Sequence, residues 1–379
     1  MKLALVGVGG GGSRLVDTIR GLEASGDRQL CYGHLLTIDI SRTVDDDFEH
    51  VSPDQHVTIG DTHREVDEGV DGAQELAVEV VRADFPEIQR SLDSIPMRKL
   101  DGVLVVACLG GGTGSGAGAV LVERLQELYD KPVYVLGVLP AAKAPDRAAL
   151  NAARSLRSIV PAADSVILFD NDRWLDPDAA DVDEEYERAN RELAGRIVSL
   201  FAREESDPDS IGANTMDSSD IIRTLSPGGV TSVGYAETDL DDGGGFLSWV
   251  LSLLPGDRGD EESDDRTDAG KIQGLVRQAL NSRLTLPCEV SSAERVLVVL
   301  SGPPEELSRR GFESARQWLE EETETVEVLA GDDPRTGSST VSAVVLLSNV
   351  TEVPRIDAMQ RQAVEYERSR TVQAADESD

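Results

Sequence analysis

The sequence predicts an α/β fold in which a domain built on a parallel sheet is joined by a long helix to a second, α+β domain. Three observations predict it. Strand-like and helix-like segments alternate through residues 1–200. Two glycine-rich loops each follow an apolar run of strand length and precede a stretch of helical periodicity. Past an acidic break at Glu204–Pro208 the alternation gives way to turns, late strands and scattered helices, the pattern of a mixed domain.

Taken in order, Leu3–Val6 reads as a strand, Gly7–Gly12 as a loop and Ser13 to Glu23 as a helix. Leu35–Asp39 is a second strand, and Gln74–Arg82 and Pro86–Leu92 are helices. Val103–Val106 leads into the loop Ala107–Gly116, followed by a helix over Ala117–Tyr129. Pro132–Val138 and Ser165–Phe169 are strands flanking a helix at Ala148–Ile159. The long helix is Glu184–Arg203, with Tyr186, Leu193, Ile197, Leu200 and Phe201 near helical spacing. Beyond it, Arg295–Leu300 and Val341–Leu347 read as strands, and Lys271–Leu280, Pro304–Glu320 and Ile356–Ser369 as helices. The division expected is a first domain over 1–205, a second over 206–355, and a C-terminal helix with an acidic tail over 356–379. Asp239–Asp268 is an acidic, glycine-rich exposed loop carrying an apolar island, Phe246–Leu254, read as a short helix packed on the second domain, with a partner-binding or membrane-touching element as the alternative. The tail from Gln373 is expected to be unstructured.

Composition narrows the class. The 379 residues hold 71 acidic against 36 basic side chains, a formal net charge of −35, and only five lysines. A field this negative repels nucleic acid and anionic membranes. The composition fits a salt-in halophile, in which high ionic strength screens the self-repulsion, so charge reports habitat rather than substrate. Cys31, Cys108 and Cys288 are odd in number and widely spaced, which supports neither a disulfide framework nor a zinc site; all three are expected to be buried thiols. The apolar start Met1–Val6 is too short for a signal peptide and no run is long enough to span a membrane, so a soluble cytoplasmic protein is expected.

The chemistry lies in the loops. Gly110–Gly116 holds five glycines around Thr113 and Ser115 between a strand and a helix. Such a loop brings several backbone N–H groups onto a phosphate, with the helix dipole behind them, and the two hydroxyls are expected to add donors. Gly7, Gly9 and Gly12 satisfy Gly-x-Gly-x-x-Gly, and Asp39 closes the second strand near a ribose position; taken alone this suggests an NAD-dependent oxidoreductase. A hydride-transfer enzyme has no need of the second loop. Two phosphate-cradling loops on neighbouring strands suit a nucleoside triphosphate instead. The lysine of a P-loop is missing, so phosphate charge falls to backbone N–H groups, Thr113 and a metal ion, with Arg14 open to two readings, phosphate contact or surface arginine.

Longer segments resemble the tubulin and FtsZ superfamily. Gly110–Gly116 is similar to its phosphate-loop signature, and Gly7–Gly12 to the first glycine loop of FtsZ. Leu136–Pro140, Asn151–Ser155, Leu168–Asp172, Asp217–Ile221, Pro227–Val230, Val233–Ala236, Leu284–Cys288 and Val353–Ile356 resemble one branch, the CetZ tubulin-like proteins of haloarchaea, and together they span nearly the whole chain. The resemblance implies a cytoskeletal GTPase that binds GTP with Mg²⁺, polymerises head to tail, and hydrolyses GTP at subunit contacts, with a role in cell shape. It makes Glu184–Arg203 the central helix. It implies that Gly9, Gly10, Gly11, Gly12, Ser13 and Arg14, with Gly111, Gly112, Thr113 and Gly114, hold the phosphates. It places Asn171 on the nucleotide, and Tyr186 and Asn190 on the base, where an amide can read a guanine edge. Asp217 and Asp220 match the acidic residues that enter the next subunit's pocket, and they read equally as an N-cap and a first-turn carboxylate.

Three departures stand against that pattern. Ala144 occupies the position of a ribose-contacting acidic residue. The loop Asp67–Gly72 carries carboxylates where glycines are usual, so that Asp71 either binds Mg²⁺ or repels phosphate. Ser13-Arg14 differs from the usual pair. A nucleotide-binding filament subunit or regulator with little hydrolysis is the alternative these departures support.

Overall fold

The strands of the N-terminal half are almost wholly apolar because both faces of their sheet are covered, as parallel sheets require. The computed structural model describes every residue except 41–47, 64–65, 67–68, 177–178, 180, 203–215, 241–262, 283, 308, 324–326 and 377–379. It contains two compact units: Met1–Glu204 with Gly228–Val230 and Val353–Asp379, and Glu205–Pro227 with Thr231–Glu352.

In the first unit the strands are β1 (Leu3–Val8), β2 (Leu35–Asp39), β3 (His56–Thr58), β4 (Gly102–Cys108), β5 (Val133–Leu139) and β6 (Ser165–Asp170). They are parallel and lie in the order β3-β2-β1-β4-β5-β6. The order reverses between β1 and β4, the switch point at which sheets of this kind open a crevice beyond the carboxyl ends of their strands. The helices are α1 (Gly9–Ser25), α2 (Gln74–Ala83), α3 (Phe85–Leu92), α4 (Gly112–Leu128), α5 (Asp146–Ala162), α6 (Asn171–Trp174) and α7 (Val182–Phe201). α1 packs on α7, and α4 packs between α2 and α5.

The second unit comprises α8 (Ser218–Leu225), β7 (Val230–Asp239), α9 (Ser263–Ser282), β8 (Arg295–Gly302), α10 (Arg309–Thr323), β9 (Val328–Pro334) and β10 (Thr340–Ser348). Its sheet runs β7-β10-β8-β9, antiparallel except for the last pair. The final helix, α11 (Pro354–Asp376), packs on α5 and so counts with the first unit, although the sequence set it apart. It is helical to Asp376, past the Gln373 at which an unstructured tail was expected. The apolar island Phe246–Leu254 lies outside the described residues.

The glycine loops are shorter than their sequences suggest. α1 opens at Gly9 and α4 at Gly112, so most of both glycine runs is first-turn helix. Close approach explains the composition. A β-carbon on Gly12 would collide with the Val106 carbonyl, and one on Gly114 with the Cys108 carbonyl. These glycines let each helix start directly against the neighbouring strand. The cysteines are free; Cys31 is buried, whereas Cys108 and Cys288 are only half-buried. Among the described residues, no helix is long and apolar enough to cross a membrane.

Candidate functional site

Two helix N-termini open on one cleft. Val8 leaves β1 in an extended conformation and Gly9 turns at φ +73°, a value that suits glycine. Gly9 fits against Thr113 and Gly114: a β-carbon there would lie 3.2 Å from Thr113 Cβ and 3.1 Å from the Gly114 nitrogen. The resulting cleft, of about 240 Å³, is walled by Val8–Gly11, Cys108 with Gly111–Gly114, Gly69–Gly72, and Asp39 at the end of β2.

No side chain caps the start of α1 or of α4. First-turn N–H groups with no intrahelical acceptor are left for a ligand, and the two dipoles converge on the same space. Gly111 is the telling residue. Its φ of −78° and ψ of 163° suit any amino acid, and a β-carbon would meet only the Cys108 carbonyl at 3.8 Å. Packing does not demand glycine at this position; an unobstructed cleft does.

Of the candidate residues, the structure brings Gly9, Gly10, Gly11, Gly111, Gly112, Thr113 and Gly114 together in the wall. Gly12 and Ser13 are buried and absent from it, and Gly12 serves the strand contact described above. Arg14 is exposed and also absent from the wall. Its charge nevertheless reaches the Cys108 thiol, which burial pushes up to about 11 while Arg14 pulls it back. The shift favours the neutral thiol over the thiolate. The wall carries carboxylates at Asp39 and Asp71, the latter at φ +41°. Of the acidic 67–72 loop, Asp67 and Glu68 lie outside the described residues.

Ser115 does not face a ligand, contrary to the expectation for its hydroxyl. It is fully buried, its one hydroxyl hydrogen is shared between the Gly111 and Gly112 carbonyls, and its own carbonyl accepts from Gln74 Nε2 at 3.3 Å and Ser155 Oγ at 3.1 Å. Sequence reasoning assigned no role to Asn151, although an asparagine inside a helix, where it is a poor helix former, is a signal in itself. Its Nδ2 donates to the Gly72 carbonyl at 3.0 Å and the Gly110 carbonyl at 3.1 Å, tying one wall of the cleft to the residue that leads into the Gly111–Gly114 wall.

Asn171, Tyr186 and Asn190 are not part of this wall. Asn171 opens α6, which Asp170 caps by accepting from the Asp172 amide. Asp170 is paired with Arg355 Nε at 3.0 Å, and Arg355 also donates to the Pro140 carbonyl at 2.6 Å. Burial outweighs that pairing and raises the Asp170 pKa. Tyr186 and Asn190 stand one turn apart on α7; Tyr186 is 42% exposed and Asn190 half-buried.

Asp217 and Asp220 lie in the second unit and form a capping box on α8. Asp217 accepts from the Ser219 and Asp220 amides, and Asp220 accepts from the Asp217 amide. The Ser219 hydroxyl foremost, then these amides, hold the Asp217 carboxyl below its ordinary range. Asp217 remains exposed.

A doubly wound sheet with two glycine-started helices at its switch point, followed by an α+β unit, defines a tubulin-like GTPase architecture. The GTPase domain of the Tubulin/FtsZ family matches residues 2–177, and the C-terminal domain of tubulin-like CetZ matches residues 179–365. The chain is 41% identical to tubulin-like protein CetZ1 of Haloferax volcanii, over 96% of its length and 92% of that protein. It is 41% identical to CetZ3 of the same organism, over 97% and 93%. The structure of GDP-bound monomeric CetZ1 superposes with a TM-score of 0.83 at 37% identity, covering 97% of this chain and all of that one. The GTPγS-bound protofilament of Haloferax CetZ2 gives 0.82 at 29% identity, covering 98% and 100%. The chain belongs to the CetZ family of tubulin-like proteins, and the oxidoreductase reading is set aside.

Proposed function

We propose that this chain binds GTP in the cleft at the β1–β4 switch point, assembles head to tail with copies of itself, and hydrolyses GTP at the subunit contact. The observation that carries the reading is the pair of uncapped helix N-termini converging on one cleft, with Gly111 open toward it. Donors fixed before the ligand arrives need no reorganisation to hold a triphosphate. The GTPγS-bound protofilament of a relative supports assembly.

In this reading Gly9–Gly11 and Gly111–Gly114 hold the phosphates, with Arg14 supplying positive charge nearby. Asn171, Tyr186 and Asn190 hold the nucleoside. Asp217 and Asp220, presented on the second unit, position the water that attacks the γ-phosphate of the neighbouring subunit in line with the leaving oxygen. The described residues contain no cluster of three side chains able to hold a metal. Magnesium needs no such cage: it usually takes one or two carboxylates together with phosphate oxygens, and Asp71 on the cleft wall is the exposed carboxylate that fits. When bound, the ion neutralises charge on the phosphates. The net charge of −35 argues against nucleic-acid partners, and in this reading the chain forms a cytoplasmic filament with a role in cell shape.

The second reading, a filament subunit that binds nucleotide but barely hydrolyses it, rests on Ala144 and on the carboxylate of Asp71 in the wall. Sedimentation and phosphate release with GTP at molar salt distinguish the two. Pelleting with phosphate release that rises per subunit with protein concentration supports the first. Pelleting without release supports the second, and neither result with GTP rejects both.

A further inference from the structure

Asn151 is buried to 3% exposure, one turn into α5 from its N-terminus, where a short polar side chain is otherwise a poor helix residue. Its Nδ2 carries two hydrogens and both are used. One goes to the Gly72 carbonyl at 3.0 Å and the other to the Gly110 carbonyl at 3.1 Å. Gly72 lies in one wall of the cleft, and Gly110 is the residue immediately before the Gly111–Gly114 wall. Gly72 follows Asp71, and the two residues stand at φ +72° and +41°, a left-handed pair that needs an external tie to persist. Gly110 immediately precedes Gly111 and is pressed against α5: a β-carbon on it would come within 3.2 Å of Ala148 Cβ and 2.9 Å of Pro140 Cβ. One turn further along α5, Ser155 donates to the Ser115 carbonyl at 3.1 Å, holding the first turn of α4 to the same helix.

We propose that Asn151 is a positioning residue for the nucleotide, setting the gap between the Asp71–Gly72 wall and the Gly111–Gly114 wall, which it holds through Gly110, before the phosphates enter. The proposal rests on the nucleotide reading of the cleft. The residue type is specific for a chemical reason. A serine donates once, an aspartate turns two donors into lone pairs facing two carbonyls, and a glutamine places its amide a methylene too far out. With the amide in place, binding energy is not spent on drawing the walls together.

The test is GTP affinity by equilibrium dialysis, on full-length protein below its assembly concentration, for wild type, Asn151→Ser and Asn151→Asp, with folding followed by circular dichroism. Asn151→Ser is expected to bind GTP about threefold to tenfold more weakly, the loss of one neutral hydrogen bond. Asn151→Asp is expected to bind more weakly still at pH 8 and to recover toward the serine variant as pH falls to 5.5, because a buried carboxyl protonates early and then donates once. The ratio of variant to wild-type affinity is the readout, and a residue that only supports folding leaves it flat with pH. If Asn151→Asp fails to fold, the serine variant decides alone. Wild-type binding with an unchanged affinity in Asn151→Ser overturns this proposal and leaves the cleft reading intact. Absence of GTP binding by the wild type overturns both.

Discussion

Asp220 accepts a hydrogen bond from the Asp217 amide at 3.1 Å, while Asp217 accepts from the Asp220 amide at 3.2 Å. The two carboxylates proposed to act on a neighbour's nucleotide thus also close the N-terminus of their own helix, and any test of one role must control for the other.

Replacement by asparagine separates them, since asparagine caps as well as aspartate but carries no charge. Asp217→Asn and Asp220→Asn are expected to fall within about 0.5 kcal/mol of wild-type stability. Hydrolysis by assembled protein should drop on the order of 10²-fold, with monomer GTP affinity unchanged. Asp217→Ala also loses the cap, at about 1 kcal/mol, and is the poorer variant. Phosphate release against protein concentration, with thermal melts alongside, checks this. Turnover independent of concentration, or weakened monomer binding, rejects the shared site.

The cap titrates in a defined direction. The Ser219 hydroxyl and two amides depress the Asp217 pKa below its ordinary 3.8, so the cap's contribution is present above that value and is lost as pH falls through the lower folded value. Hydrogen-exchange protection of the Ser219 and Asp220 amides should be level from pH 8 to 5 and decline below 3.8, with no such decline in Asp217→Asn. A decline that begins near neutrality contradicts the assignment.

Gly111 and Gly112 are neighbours with opposite requirements. A β-carbon on Gly111 would meet only the Cys108 carbonyl, at an ordinary 3.8 Å, so Gly111→Val should fold normally while losing nucleotide. In Gly112→Val, a β-carbon would stand 2.6 Å from Val70 Cγ2 and 2.9 Å from the Gly72 backbone, so the domain itself is destabilised, by about 1–3 kcal/mol for overpacking of this kind. Melting curves and GTP binding on both variants give the answer. A folded Gly111→Val protein that retains GTP affinity removes the phosphate-loop assignment.

Asn190 carries the base prediction. Asn190→Ala is expected to weaken GTP binding by about 1–3 kcal/mol, the effect of leaving a base edge unpaired. Competition with ATP provides the control: wild-type protein that binds ATP as well as GTP has no guanine reader at this position.

Much of the molecule was legible in the chain because the signals are local. Apolar runs of strand length located β1, β2, β4, β5 and β6, and glycine density between strand and helix marked two of the cleft walls. Short or polar strands escaped: β3 spans only His56–Thr58, and β9 ends in Asp332, Asp333 and Pro334, a sequence that reads as a turn. What the sequence alone determined about this protein was the order of most of its elements, the placing of two glycine runs between strand and helix, and its resemblance to tubulin-like proteins. Only the tertiary structure decided which glycine serves which purpose. Gly12 and Gly114 are small because strand β4 lies against them and Gly112 because the Val70–Gly72 segment does, whereas among the described residues a β-carbon on Gly111 would meet only the Cys108 carbonyl, at an ordinary 3.8 Å. It also turned the Ser115 hydroxyl inward and set Asn151 between Gly72 and Gly110. Steric neighbours and hydrogen-bond partners come from residues distant in the chain, as Gly72 and Gly110 are from Asn151, and a glycine or an amide does not carry the identity of its partner in its own position.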